Sequence, residues 1–179
     1  YGADSVRLFI MSDSPPEKDV QWSDTAMEGS YKFLQKLWTL HNIFLEKIQI
    51  SKNESEDNEI LKFTNNLINK ITQNIEGFRY NVIIANFYEM YNYLSKELKK
   101  SYNKNVLIES YTKILILLSP FIPHFAAECL DQLKNVTEIK NYDTWPKVDD
   151  KVLMDEDINL VVQINGKKRE VLKIKRGIQ

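Results

Sequence analysis

Apolar residues recur along most of this chain at steps of three and four, which is the period of an α-helix. The longest such run begins after Ser23 or Asp24, either of which can cap a helix amino terminus. It spans about six turns at 3.6 residues per turn. Its apolar members are Met27, Tyr31, Leu34, Leu37, Trp38, His41, Phe44, Leu45 and Ile48. This spacing predicts a long amphipathic helix whose listed residues face a core.

The same period predicts five further helices, at residues 4–11, 60–78, 80–99, 105–118 and 123–133. Gly77 is the expected break after the third helix of the chain. Pro120 should end the fifth, because proline disfavours a helical conformation in the residue before it. Pro123 suits the first position of the sixth. The pattern therefore predicts a mainly α protein, an antiparallel helical bundle.

Near residue 142 the pattern changes. Trp145-Pro146 and an acidic run, Asp149 to Asp157, indicate a linker. Two β-prone runs then flank Asn165-Gly166, and this dipeptide favours a two-residue hairpin turn. A lone hairpin is marginal in water. We therefore expect a short C-terminal β-hairpin that is only the start of a small further domain.

Composition narrows the functional classes. The 179 residues carry a formal net charge of −1, which excludes a uniformly basic nucleic-acid binder and leaves only local patches. One cysteine and two histidines cannot supply an ordinary zinc site or an internal disulfide, so no metal site is predicted. A reducing, cytoplasmic setting fits this inventory. No apolar run approaches the length of a membrane span.

Residues with catalytic potential are few. The chain has no glycine-rich phosphate loop and no Ser/His/Asp order, so no catalytic residue is predicted. His124, at a predicted helix start, is interpreted as a partly buried, hydrogen-bonded histidine. Cys129 is interpreted as a small buried apolar residue. An enzyme that uses His124 with Glu128 is the least favoured alternative.

Basic residues form three local groups that could contact nucleic acid. The candidates are Arg79, then Lys96, Lys99 and Lys100 (with Lys104 nearby), then Lys167, Lys168 and Arg169. Each group has a structural alternative. Lysines at a helix carboxyl terminus complement the helix dipole, and lysines on an edge strand oppose aggregation. Arg79 precedes a helix whose amino terminus could hold phosphate.

Four separated stretches resemble leucyl-tRNA synthetases of the bacterial type, in the same order. They are YGADSVRLF with PPEKDVQWSD and EGSYKFLQKLW, then FRYNVIIANFYEMYNYL, then LLSPFIPHFAAECL, and finally TWP with LVVQINGKKRE. The first and last are specific, whereas the third is shared with the isoleucyl, valyl and methionyl enzymes. Ala127 and Leu130 depart from the family pattern, which commonly has Glu and Trp there.

The resemblance implies a domain organisation. Residues 1–22 would be a connector from a catalytic domain that is missing from this chain. Residues 23–141 would be an anticodon-binding-type helical bundle, and residues 142–179 a linker with the truncated start of the C-terminal tRNA-binding domain. The opening, which has no initiator Met and runs straight into a helix, fits such a fragment.

The resemblance also implies a function. The bundle would dock tRNA(Leu), mainly through phosphate and sugar, for ATP-dependent leucylation by the missing catalytic domain. ATP with Mg would belong to that parent enzyme, and this fragment would need no cofactor. The expected partners are tRNA(Leu) and the catalytic domain of the same chain, with no membrane and a monomeric state. Two alternatives remain: a helical protein–protein interaction module, and the equivalent bundle of an isoleucyl-, valyl- or methionyl-tRNA synthetase. A common basic face formed by Arg79, Lys96, Lys99 and Lys100 would favour RNA.

Overall fold

The computed structural model describes residues 1–51, 59–138, 144–153, 157–164 and 167–175, and for the two strands it describes the backbone alone. The described part is dominated by helices, as predicted. They are α1 (Ala3–Asp13), α2 (Asp24–Ile50), α3 (Glu59–Glu76), α4 (Tyr80–Glu97), α5 (Lys104–Leu118), α6 (Pro123–Val136) and the one-turn α7 (Asp150–Leu153). The predicted loop at residues 51–58 lies, apart from Ser51, outside the described residues.

The helix boundaries follow from capping residues. The Ser23 hydroxyl accepts a hydrogen bond from the Ala26 N–H at 3.2 Å, which starts α2 where the sequence predicted. The side chain of Asn103 caps α5 in the same way. α5 ends two residues before Pro120, and α6 begins at Pro123, so both proline predictions are confirmed.

The break between α3 and α4 falls at Gly77, as predicted, but the turn there has an unusual backbone conformation. α3 does end at Glu76, but Phe78 rather than Gly77 adopts the left-handed conformation, with φ of 52°. The Phe78 side chain is 61% exposed. A non-glycine residue pays about 1 kcal/mol or more for this conformation, so this turn stores backbone strain.

Helices α1 to α6 share one apolar core. Its members come from every one of these helices, and they include Leu8, Phe44, Ile68, Phe87, Leu115 and Leu133. Core membership on α2 only partly matches the predicted stripe. Trp38 and Tyr31 are each 38% exposed, whereas Phe33 and Leu40 are buried in their place. α2 carries apolar residues around more than half of its circumference, so its neighbours decide which arc is buried.

A polar network crosses this core. The two ring nitrogens of His41 lie 3.1 Å from the Tyr111 hydroxyl and 3.2 Å from Gln132 Oε1. The Gln132 oxygen can only accept, so the network assigns the ring proton to Nε2 and makes Nδ1 the acceptor from Tyr111. The Gln132 amide in turn donates to Glu128 at 2.7 Å. These bonds tie α2, α5 and α6 together at specific positions.

The bundle has two distinct ends. α3 and α4 run antiparallel, since Lys70 pairs with Glu89 at 3.6 Å and Phe63 stacks on Tyr93. α4 and α5 are joined by a short connection. We call the end where α4 and α6 finish and α3 and α5 begin the distal end. The opposite end, which α1 crosses, is the proximal end.

Two strands follow α7. β1 (Asp157–Ile164) and β2 (Lys167–Lys175) pair antiparallel, with an irregularity after Val162 that leaves Arg169 without an opposite residue. The Asn165-Gly166 turn lies outside the described residues, so the hairpin with this turn stays a prediction. None of the described helices is long and apolar enough to cross a membrane.

Candidate nucleic-acid interface

Asp4, in the opening stretch of the sequence, caps a helix that lies far away in the chain. Its carboxylate is mostly buried. Oδ2 accepts from the Phe125 N–H at 2.8 Å, and Oδ1 lies 2.9 Å from His124 Nδ1. The first N–H groups of a helix lack partners within it, and a carboxylate there also complements the dipole. Asp4 therefore supplies from α1 the cap that α6 lacks locally.

Arg7 holds the turn that precedes the same helix. Its Nε donates to the Phe121 carbonyl at 2.9 Å and its Nη2 to the Pro120 carbonyl at 2.5 Å. Asp4 and Arg7 lie one turn apart on α1. Together they fix α1 across the connection between α5 and α6, so the first and third family-like stretches meet in space. Sequence reasoning missed this contact, because nothing in either stretch identifies its partner.

His124 is accessible at this junction. The interpretation of a hydrogen-bonded histidine at a helix start is right, but the side chain is 77% exposed rather than partly buried. Cys129, by contrast, is buried as expected.

Three titratable side chains in the core, Cys129, Tyr111 and His41, are held neutral. Burial raises the pKa of the Cys129 thiol and that of the Tyr111 hydroxyl, and it lowers the pKa of His41. A thiol with a raised pKa is a poor nucleophile, and a neutral His41 completes the hydrogen bonds described above. These three side chains therefore act in packing and hydrogen bonding.

The three lysines at the end of α4 that were predicted to contact nucleic acid differ in their surroundings. Lys100 forms an ion pair with Glu97 at 3.0 Å, and this glutamate also accepts from the Tyr102 hydroxyl. Lys96 and Lys99 are exposed, and within the described ranges neither forms an ion pair. Lys96 and Lys99 therefore present charge at the distal end, whereas Lys100 mainly balances a buried carboxylate.

Arg79 lies at the opposite end of the same helix. It is the exposed residue just before α4, which has 18 residues and so is about 27 Å long at 1.5 Å per residue. Arg79 therefore belongs to the proximal end. The common basic face of Arg79 with Lys96, Lys99 and Lys100 that would favour RNA is not formed, because the length of α4 separates them. On this criterion alone, the scattered placement favours the protein–protein alternative.

The topology adds a basic residue that the sequence did not indicate. Lys134, in the last turn of α6, lines a surface groove at the distal end together with Lys104. Its ammonium group lies 3.0 Å from Asp131. No sequence signal relates these two lysines, because their proximity depends on how α5 packs against α6.

The remaining three candidates lie on β2. Lys167 pairs in register with Ile164, Lys168 pairs with Gln163, and Arg169 occupies the irregular position. The structure does not describe their side chains, so their part in an interface stays a prediction.

Comparisons with known proteins identify the family. The family model described as the anticodon-binding domain of tRNA ligase matches residues 57–179. The chain belongs to the anticodon-binding domain family of tRNA ligases.

Relatives of this anticodon-binding domain carry a common name. The chain is 36% identical over 184 residues to the leucine–tRNA ligase of Thermotoga petrophila, covering 95% of the chain and 22% of that protein. It is 38% identical over 173 residues to the leucine–tRNA ligase of Ehrlichia ruminantium, covering 93% of the chain and 20% of that protein. The chain thus spans about a fifth of the length of these relatives.

A solved structure matches the domain over its whole length. It is the Agrobacterium radiobacter K84 LeuRS in its ternary complex with tRNA and LeuAMS, with a TM-score of 0.81 and 26% sequence identity. The match covers 100% of this chain and 24% of that one. The bundle therefore has the same fold as the matching quarter of that enzyme.

Proposed function

We propose that this chain is the tRNA-docking domain of a leucine–tRNA ligase, which positions tRNA(Leu) while another domain performs ATP-dependent leucylation. The observation that carries the proposal is the full-length match to a LeuRS with bound tRNA. The shared name of the two ligases described above supports the leucine assignment over the isoleucyl, valyl and methionyl alternatives.

The organisation expected from the sequence is part of the proposal. Residues 1–22 would connect to the catalytic domain, 23–141 would form the docking bundle, and 142–179 would begin a C-terminal module. α1 is integral to the bundle, since Leu8 and Phe9 are buried and Asp4 and Arg7 bind the start of α6. ATP and Mg would act in the catalytic domain. We place the parent enzyme in the cytoplasm and propose that it is monomeric.

Lys96 and Lys99 are the proposed phosphate contacts on the bundle. Their support is exposure at one end of the molecule, without an ion pair inside the described part. Two other exposed lysines are instead paired with helix neighbours, Lys32 with Glu28 at 2.7 Å and Lys100 with Glu97 at 3.0 Å. Two such contacts on a chain of net charge −1 should give weak binding that is sensitive to salt.

A salt series tests this proposal. Fluorescence anisotropy with an end-labelled tRNA(Leu) transcript should give an association constant that falls linearly with the logarithm of salt concentration. Replacing Lys96 and Lys99 by Gln should reduce the slope by about 0.9 per lost phosphate contact. The matched control replaces Lys18 and Lys36 by Gln, which removes the same charge from other faces and should leave the slope unchanged.

Four results would count against the proposal. Binding that does not respond to salt would count against phosphate contacts. Equal binding of tRNA(Leu) and tRNA(Ile) transcripts would count against the leucine assignment. Absence of RNA binding would favour a protein–protein module instead. Leucine-dependent ATP–pyrophosphate exchange by this chain would show that the chain itself activates leucine, contrary to the proposal.

A further inference from the structure

A cavity of about 630 Å³ opens at the proximal end, where segments that are distant in the sequence meet. It lies between α1, the end of α3, the start of α4, the turn before α6 and the segment that contains Trp145. Its volume is in the range of sites that bind small molecules. None of the residues proposed to contact phosphate lines it, so it is separate from the proposed RNA contacts.

Three aromatic rings line this cavity. Phe121 is buried, and the Tyr80 ring meets it edge to face, with ring centroids 6.2 Å apart. The Trp145 indole is held in place because its N–H donates to the Thr72 hydroxyl at 3.0 Å. These contacts position the rings without any ligand. The cavity is therefore formed in advance and suits a flat apolar group.

Two side chains of opposite charge line the same cavity. Arg7 is oriented by its bonds to the carbonyls of Pro120 and Phe121, which leave its other N–H groups without an acceptor among the described residues. Glu76 is exposed at the end of α3. Within the described ranges it pairs neither with Arg7 nor with Arg79 of the following turn. The cavity thus offers donors and a carboxylate beside an aromatic wall.

We propose that this cavity binds a free aromatic amino acid. The ligand carboxylate accepts hydrogen bonds from Arg7, the ligand ammonium group pairs with Glu76, and the ligand ring packs among the three aromatic side chains. A cation is also favoured at this position by the carboxyl end of α3, which has no basic residue in its last turn. An anchor residue inside a polypeptide carries neither charge. The two opposite charges of the site therefore favour a free amino acid over a protein segment.

Titration of the ¹⁵N-labelled chain with L-phenylalanine, followed by NMR, tests the site. The chain has three tryptophans, of which Trp145 alone lines the cavity. Its indole N–H resonance, assigned with Trp145→Phe, should shift and saturate with a dissociation constant on the order of 1 mM, as expected for a small ligand in an open site. The indole resonances of Trp22 and Trp38 should not move.

Removing one charge at a time identifies the contacts. Glu76→Gln keeps the size of the side chain and should weaken L-phenylalanine binding about threefold, because the ion pair is exposed. The same variant should not affect N-acetyl-L-phenylalanine, which has no ammonium group. Glu46→Gln is the matched control, since it removes one exposed carboxylate from α2 and should leave the affinity unchanged.

The contact with Arg7 is tested on the ligand, because Arg7 also holds the turn before α6 and its replacement would affect folding. L-Phenylalaninamide, which lacks the carboxylate, should bind the wild-type chain about threefold more weakly or worse. A ligand that bridges α1 and α3 should also stabilise the fold. At ten times the dissociation constant, L-phenylalanine should raise the urea midpoint by about 0.7 M, for an m-value of about 2 kcal/mol/M.

Other results would overturn the inference. Absence of a saturable shift at Trp145, or equal shifts at all three indoles, would show that the cavity does not take this ligand. Binding of N-acetyl-L-phenylalaninamide as tight as that of L-phenylalanine would assign the cavity to an anchor residue of a protein segment instead. Equal weakening by Glu76→Gln and Glu46→Gln would show an effect of overall charge rather than a contact.

Discussion

The capping of α6 by Asp4 gives the sharpest test of how this bundle is held together. Replacing Asp4 by Ala removes the acceptor of the Phe125 N–H and leaves that amide without its partner at the start of α6. The chain neighbour Ile122 cannot take over, because it supplies no side-chain cap. The loss should therefore destabilise the bundle at the junction of α1 and α6.

The magnitude follows from the contacts. Removal of a helix cap costs about 1 kcal/mol, and loss of the carboxylate from the helix amino terminus adds roughly 0.5–1 kcal/mol. The interaction with His124 adds little, because that side chain is 77% exposed and well screened. We expect Asp4→Ala to lower the free energy of unfolding by about 2 kcal/mol.

Urea denaturation followed by circular dichroism measures this change. With an m-value of about 2 kcal/mol/M, the midpoint should fall by about 1 M. Asp4→Asn keeps an acceptor but loses the charge, so it should lose about half as much. Native-state hydrogen exchange should show faster exchange of the Phe125 amide in Asp4→Ala.

Asp13→Asn is the matched control. Asp13 lies on the same helix, is exposed, and contacts only the adjacent Ser14 side chain among the hydrogen bonds described. Its replacement should stay within about 0.5 kcal/mol of wild type. If Asp4→Ala shifts the midpoint no more than Asp13→Asn does, the cap has no energetic role and the reasoning is wrong.

Three further predictions concern single side chains. Burial lowers the pKa of His41, so below about pH 6.5 the unfolded chain binds a proton that the folded chain does not. The free energy of unfolding should therefore fall by up to about 1.4 kcal/mol for each pH unit, until the pH reaches the lowered pKa of the folded state. In urea titrations between pH 7.5 and 5.5, His41→Gln should lose this part of the pH dependence, whereas the exposed His124→Gln should retain it. Phe78→Gly should stabilise the chain by about 1 kcal/mol in the same assay, since glycine adopts positive φ without strain. A lower urea midpoint would show that contacts of the Phe78 ring stabilise the fold by more than the backbone strain destabilises it. Cys129, whose thiol pKa is raised by burial, should react with a thiol reagent only at the rate of unfolding, and rapid labelling of the folded chain would contradict its placement in the core.

The sequence determined the helices because their signals are local. A period of three and four, the Ser23 cap and the two prolines each act within one or two turns, so the helix positions could be predicted within a few residues. The family resemblance was also available, since short stretches such as PPEKDVQWSD and LVVQINGKKRE carry it without any knowledge of packing. Both were confirmed by the fold and by the family match.

Tertiary structure alone decided which parts meet. Trp38 satisfied the helical period but is partly exposed, because periodicity defines a helix face and the neighbouring helices choose the arc that is buried. The sequence left open whether Arg79 and Lys96 share one basic face, and α4 holds them at opposite ends. The Asp4 cap joins residues 121 positions apart, and no local rule couples such distant positions. Local interactions thus fixed the elements, while the contacts that place charge and close the bundle depend on how those elements pack.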